Sequence, residues 1–179
     1  MNRYPKVAYL SLGSNRGDRD QQIERALSAL AEAGVAVRRR SALYETEPVG
    51  MSPQRWFLNC LVEVETELMP LALLRTLKRI ERQLGRRGAS GPEPAARSID
   101  IDIIVYGQHR MSTPELTLPH PRLAERRFVL EPLRELDPDW RHPLTRQSAA
   151  EMLAALDDRA VVRRMPRSER GGRGPEETS

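Results

Sequence analysis

The 179-residue chain has a single cysteine, Cys60, so neither a disulfide nor a zinc cluster can be built from it. Its place inside an apolar run marks it as a packing residue. No apolar run approaches the roughly 20 residues that a membrane span needs. Met1 to Lys6 is polar and Val7 to Leu12 is too short for the core of a signal peptide, so the chain is expected to stay in the cytoplasm. A Walker lysine is also missing, which excludes an ordinary P-loop and requires any nucleotide to be held in another way. No internal repeat is present.

Apolar residues make up 39% and charged residues 30%, the composition of a soluble globular chain long enough to bury a core. One domain is expected over residues 1–160. The formal net charge of +4 rests partly on the C-terminal stretch, since from Arg163 to Ser179 five arginines face three glutamates. With Gly171-Gly172-Arg173-Gly174-Pro175 in it, residues 161–179 have little to bury and are expected to form a disordered tail. The tail could bind RNA weakly or be a solvated extension. The remainder is only mildly basic, which suits a small anionic ligand better than a long nucleic acid. The expected state is a monomer.

Val7 to Leu12 reads as a buried strand closed by the turn Gly13-Ser14-Asn15-Arg16-Gly17. Asp18, with Gln21 three residues on, makes a capping-box pattern for a helix whose stripe is Ile23, Ala26, Leu27, Leu30 and Ala31, ended by Gly34. A second strand is expected from Val35 to Tyr44. After it, Glu45 to Gln54 is too long and too rich in proline and glycine for a tight hairpin, as binding loops often are. From Trp56 to Glu65 the residues alternate, with Trp56, Leu58, Cys60, Val62 and Val64 on one face and Phe57, Asn59 and Leu61 on the other. An amide beside an aromatic ring can bind a flat heterocycle, although a core asparagine satisfied by its neighbours reads the same way. Pro70 opens a helix with apolar positions Leu71, Leu74, Leu77, Ile80 and Leu84, and Gly85 ends it. Residues 86–97 have neither periodicity nor large anchors, and read either as a lid over an anion or as a slack surface loop.

The most informative stretch is Arg97-Ser98-Ile99-Asp100-Ile101-Asp102-Ile103-Ile104-Val105-Tyr106-Gly107. In a strand, Ile99, Ile101, Ile103 and Val105 share one face, while Asp100 and Asp102 share the other with Ile104 and Tyr106. Two carboxylates this close repel unless something positive lies between them. Mg²⁺ is the economical candidate, because it accepts one or two carboxylates and completes its shell with water and phosphate oxygens. An amphipathic strand with one wet face is the plainer alternative. Farther on, prolines flank His120 and restrict its backbone. Arg126, Arg127 and Phe128 then bring cations and a ring together, and Ser148 to Leu156 reads as a last helix. The order β-α-β-β-α-β points to an α+β fold, a ferredoxin-like plait with helices packed on a largely antiparallel sheet, with a C-terminal extension after it.

Taken together, Leu12-Gly13-Ser14-Asn15, Tyr44 to Gly50, Phe57-Leu58-Asn59, Ile80-Glu81 with Leu84-Gly85-Arg86, Arg97 to Ile103, Leu118-Pro119-His120-Pro121 and Arg126-Arg127-Phe128 resemble the 6-hydroxymethyl-7,8-dihydropterin pyrophosphokinase family. The resemblance runs from Val7 to about Leu136. It implies a Mg²⁺-dependent enzyme of folate synthesis that moves the pyrophosphate of ATP onto a pterin alcohol and releases AMP. In that pattern Asp100 and Asp102 match carboxylates holding two Mg²⁺ ions, and Arg86 and Arg97 match arginines on the transferring group. Glu81, Ile103, Thr117, His120 and Arg126 fall at the ATP site. Thr46, Val49 and Asn59 match groups on the pterin edge, and Phe57 and Phe128 the rings that sandwich it. No tryptophan stands between Arg86 and Arg97, where the family usually carries one. Two other readings remain at this point: a degenerate relative that binds without chemistry, and an RNA-binding plait. The latter needs exposed aromatics that the strands Val7 to Leu12 and Ile99 to Tyr106 largely lack.

Overall fold

The computed structural model describes residues 5–47, 55–85, 98–157 and 160–166. Strand β1 (Lys6–Ser14) lies between β4 (Phe57–Thr66) and β5 (Asp100–Tyr106), antiparallel to both. β2 (Ala36–Arg40) and β3 (Tyr44–Thr46) both pair with β4 on its far side, so the expected single strand from Val35 to Tyr44 is divided. Ser41 marks the break. Its amide donates to Leu61 O and its hydroxyl accepts from Leu61 N–H, which satisfies β4 where the ladder is interrupted.

Two helices cover one face of this sheet. In α1 (Arg19–Glu32), Asp18 caps the first turn by accepting from Gln21 N–H at 3.0 Å, and Gly34 lies just past the end with φ of 79°. Ile23, Ala26 and Leu30 are buried and Leu27 packs beside them, whereas Ala31 is exposed and Ala33 packs in its place. In α2 (Pro70–Gly85) Leu73, Leu77 and Ile80 are fully buried, and Glu81 is buried beside them. The stripe therefore enters through Leu73 rather than Leu71. These side chains close a core with Leu10, Leu12, Leu58, Cys60, Val62, Val64, Ile99, Ile101 and Ile103. Burying each large aliphatic side chain there contributes about 1.5–3 kcal/mol. Cys60 is the expected packing residue, and burial pushes its thiol up to about 12.

On the opposite face, α3 (Arg127–Leu136) and α4 (Ala149–Ala155) cover Tyr9, Leu61, Ile104 and Val105. α4 starts with a complete capping box between Ser148 and Glu151. The alternation expected along β5 holds only to Ile103. Leu10 pairs with Ile103 but Tyr9 pairs with Val105, so Ile104 is an extra residue, a β-bulge. Beyond it the faces exchange: Val105 joins the second core, and Tyr106 joins the first with its hydroxyl donating to Leu68 O.

β6 (Met111–Ser112) and β7 (Thr117–Leu118) form a small separate hairpin. The stretch expected to be disordered from residue 161 includes a strand, β8 (Val162–Arg164), paired with β3 at the sheet's edge. Side-chain anchors explain why it folds despite its arginines. Glu135 on α3 accepts from Arg164 and from the Tyr44 hydroxyl, Met165 N–H donates to Leu43 O, and the Arg163 guanidinium lies 4.8 Å from the Trp56 ring centre. Every strand pairing described is antiparallel. Among the described residues no helix is long and apolar enough to cross a membrane.

Candidate functional site

A cleft of about 580 Å³ opens on the α3 side of the sheet, where the second core ends. Its floor is set by strand register. Asp100 pairs with Gly13 and Asp102 with Ser11 across β1 and β5, while Gly13 pairs with Asn59 across β1 and β4. All five residues line the cleft, so the two aspartates point together into the same space as the asparagine. Thr46 from β3, Phe57 from β4 and Phe128 from the first turn of α3 add the aromatic part of the lining, and Val162 of β8 and Ala160 just before it complete it.

Asn59 is 4% exposed and Thr46 6% exposed. Asn59 Nδ2 donates to Thr46 Oγ1 at 2.8 Å, which fixes the amide plane at the base of the cleft. Toward the aspartates Arg126, just before α3, donates from Nη1 to Asp102 Oδ2 at 3.2 Å, and its guanidinium lies 5.6 Å from the Phe128 ring centre, so the ion pair adjoins the ring. Arg122 and Glu125 stand at the rim, paired at 3.2 Å.

His120 lies beside this end rather than in its lining. Its backbone N–H donates to Ile104 O at 2.8 Å, so the bulge of β5 supplies its anchor, and its Nδ1 accepts from Arg122 N–H at 3.1 Å. That assigns the proton of the neutral ring to Nε2. Burial holds its pKa below the usual histidine value, Arg126 and Arg122 push the same way, and Asp102 partly offsets them.

Of the residues expected from the sequence, Thr46, Phe57, Asn59, Asp100, Asp102, Arg126 and Phe128 converge on this one cleft. Glu81, Ile103, Thr117 and His120 do not line it. Ile103 is buried in the first core and leaves only its backbone for a ligand, and Thr117 sits on β7. Arg86, Arg97 and Val49 lie outside the described residues. Sequence reasoning missed Ser11, Gly13, Glu47, Arg122, Glu125, Ala160 and Val162 as lining residues. Ser11 and Gly13 had a signal available, since they fall opposite the aspartates once β1 and β5 are paired.

The lining described carries four carboxylates, on Glu47, Asp100, Asp102 and Glu125, against the two guanidiniums of Arg122 and Arg126. A polyphosphate would meet net negative charge there unless cations came with it. No group of three or more metal-ligating side chains exists among the described residues, so a closed protein cage is not available. Two neighbouring aspartates facing an open cleft are nonetheless a donor set that fits Mg²⁺, which keeps water and phosphate oxygens in most of its positions.

A family model described as 7,8-dihydro-6-hydroxymethylpterin-pyrophosphokinase matches residues 9–138. The 2-amino-4-hydroxy-6-hydroxymethyldihydropteridine pyrophosphokinase of Bacillus subtilis is 43% identical over 131 residues, covering 73% of this chain and 77% of that protein. The folic acid synthesis protein fol1 of Schizosaccharomyces pombe is 43% identical over 157 residues, 87% of this chain but only 21% of its own length. The chain thus spans about a fifth of that relative. A crystal structure of Plasmodium falciparum HPPK-DHPS superposes with a TM-score of 0.68 at 16% identity, over 87% of this chain and 46% of the other, a likeness of fold.

Proposed function

Because the chain belongs to the 7,8-dihydro-6-hydroxymethylpterin-pyrophosphokinase family, we propose that it transfers the pyrophosphate of ATP to the hydroxymethyl group of 6-hydroxymethyl-7,8-dihydropterin, releasing AMP, in folate synthesis. The observation that carries this is that the paired aspartates line the same cleft as Phe57, Asn59 and Phe128. A flat heterocycle stacks between the two rings while Asn59 and Thr46 read its polar edge, a role the family resemblance also gives Val49. ATP occupies the aspartate end. Arg126 contacts it, as do Thr117, His120 and the Ile103 backbone, and Arg86 and Arg97 meet the transferring group. The strand order β5-β1-β4-β3, with α1 and α2 on one face, supports reading the framework as a ferredoxin-like plait.

The hydroxymethyl oxygen forms its bond to the β-phosphorus in line as the bond from that phosphorus to the α-phosphate oxygen breaks, and AMP leaves. Asp100 and Asp102 would hold Mg²⁺, which supplies neutralisation of the phosphate charge when bound. The protein's own part is positioning: the rings fix the pterin plane, the Asn59 amide fixes its rotation, and Arg126 turns from Asp102 to the nucleotide. Removing a well-placed donor of this kind costs about a hundred- to a thousandfold in turnover.

Purified protein with Mg²⁺, ATP and the reduced pterin alcohol is expected to produce AMP in step with pterin consumption. ADP as the nucleotide product, or no product under these conditions, would refute the reading.

A further inference from the structure

Glu81 lies outside the cleft and is nearly sealed from water at 9% exposure. A carboxylate is tolerated there only if its oxygens are matched. Oε1 accepts the Ile101 N–H at 2.7 Å, and Oε2 faces Lys78 Nζ at 3.0 Å. Among the described residues β5 is the end strand of its sheet, with β1 on one side only, so amides on its outer edge have no ladder partner there. The buried Ile101 amide is one of these, and Glu81 gives it an acceptor from α2.

Ile101 stands between Asp100 and Asp102. Its N–H belongs to the peptide unit that joins Asp100 to Ile101, so a hydrogen bond to that group fixes the plane from which both carboxylates project. Just upstream, Ser14 Oγ donates to Ser98 O at 2.6 Å and holds the entry to the strand. The end strand is thereby anchored on two sides where it carries its acids.

We infer that Glu81 is a positioning residue for the polyphosphate end of the cleft: by accepting from the Ile101 amide it holds the backbone that aims Asp100 and Asp102, and it touches neither substrate. This rests on reading those aspartates as the metal-nucleotide end, and replaces the direct nucleotide contact that the family resemblance implies for Glu81. What the site requires of position 81 is an acceptor at the right reach. Its charge matters less, because Lys78 is 44% exposed and the pair is screened.

Two conservative variants separate reach from charge. Glu81→Gln keeps an acceptor oxygen in place and loses the charge, whereas Glu81→Asp keeps the charge and draws it back by one methylene. Mn²⁺ binding to the full chain with α,β-methylene-ATP, monitored by electron paramagnetic resonance, reads the aspartate site without turnover. Exchange of the Ile101 amide in ¹⁵N-labelled protein reads the hydrogen bond itself. E81Q is expected to bind Mn²⁺-nucleotide within about threefold of wild type, and E81D about ten- to a hundredfold more weakly, the loss typical of a displacement near 1 Å. Ile101 should stay protected in E81Q and exchange faster in E81D, with pterin affinity unchanged in both. Wild-type binding by E81D, or a tenfold loss in E81Q, would overturn the inference. Should E81D not fold, E81Q still decides, retention supporting the inference and a tenfold loss ending it. A wild type that binds no Mn²⁺-nucleotide refutes the reading of the aspartates, and this inference with it.

Discussion

Asn59 places its Oδ1 against the backbone of Gly13, so close that a Cβ added at Gly13 would lie 2.6 Å from it. The neighbouring strand must therefore be bare at that point for the amide to lie flat, with Nδ2 donating to Thr46 Oγ1. Gly13→Ala forces Asn59 to rotate off Thr46 or the strands to part, a cost of about 1–3 kcal/mol by analogy with overpacked cores. Pterin affinity should fall by about ten- to a hundredfold while nucleotide affinity changes little. Calorimetric titration with each ligand checks this, and an equal loss for both would show that Gly13 serves the fold rather than the pterin end.

His120 should titrate below the ordinary histidine value of 6.5. Burial is the main cause and the Arg126 and Arg122 guanidiniums add to it, so Arg126→Ala should move the midpoint up. Asp102→Asn removes the one opposing charge and should move it down. The unfolded chain binds the proton more readily than the folded one, so stability is lost as pH falls below the unfolded value. Histidine resonances tracked by NMR in the two variants test the order. Shifts in the same direction in both would contradict the placement of these groups.

Glu135 joins three elements. It accepts from Ala42 N–H and the Tyr44 hydroxyl, and it holds Arg164 of β8 at 3.1 Å. Burial works to raise its pKa, but the Arg164, Tyr44 and Ala42 hydrogen bonds outweigh burial and hold the carboxyl below its usual range. Its contribution is therefore complete above the ordinary carboxylate range and is lost as pH falls through the lowered value. Glu135→Ala leaves the Tyr44 hydroxyl and the Ala42 amide without an acceptor, at about 1–3 kcal/mol. Arg164→Ala, at a well-solvated side chain, should change stability little. Urea unfolding at neutral and acid pH measures both effects, and a difference between E135A and wild type that persists unchanged at low pH would refute the assignment.

The α+β framework was legible in the sequence because β1 is an apolar run, β4 alternates, and α1 and α2 carry helical apolar stripes. Asp18 and Gly34, and Pro70 and Gly85, mark the ends of the two helices. The bulge at Ile104 was not legible. Nothing in Ile103-Ile104-Val105 distinguishes an extra residue from a continued strand, and only pairing with Tyr9 and Leu10 shows it. α3 was hidden by Pro132 within it, although Val129, Leu130 and Leu133 keep helical spacing. The chemistry-bearing residues were easier to read than their supports. Asp100, Asp102, Asn59 and Phe57 stand out by residue type and alternation. Ser11 and Val162 enter the cleft only through strand neighbours distant in sequence, and β8 folds through Glu135, which gives no local sign of its role.

The charge balance of the cleft makes a prediction of opposite sign under two conditions. With four carboxylates and two guanidiniums in the described lining, metal-free ATP should meet net repulsion, and Asp100 and Asp102 are the acids proposed to face its phosphates. Removing one negative charge by Asp102→Asn should therefore tighten ATP binding in EDTA. At about 5–6 Å and an effective dielectric near 20 the repulsion removed is on the order of 3 kcal/mol before screening, so a gain of several-fold is a conservative expectation. Loss of the Asp102 partner also frees Arg126 for the nucleotide, which acts in the same direction. In excess Mg²⁺ the same substitution should weaken ATP binding and lower turnover by at least about a hundredfold, because the carboxylate is then a ligand rather than a repelling charge. Titrations of wild type and D102N with ATP, with and without chelator, give the comparison. A change of the same sign in both conditions would mean that Asp102 orders the cleft without holding a cation.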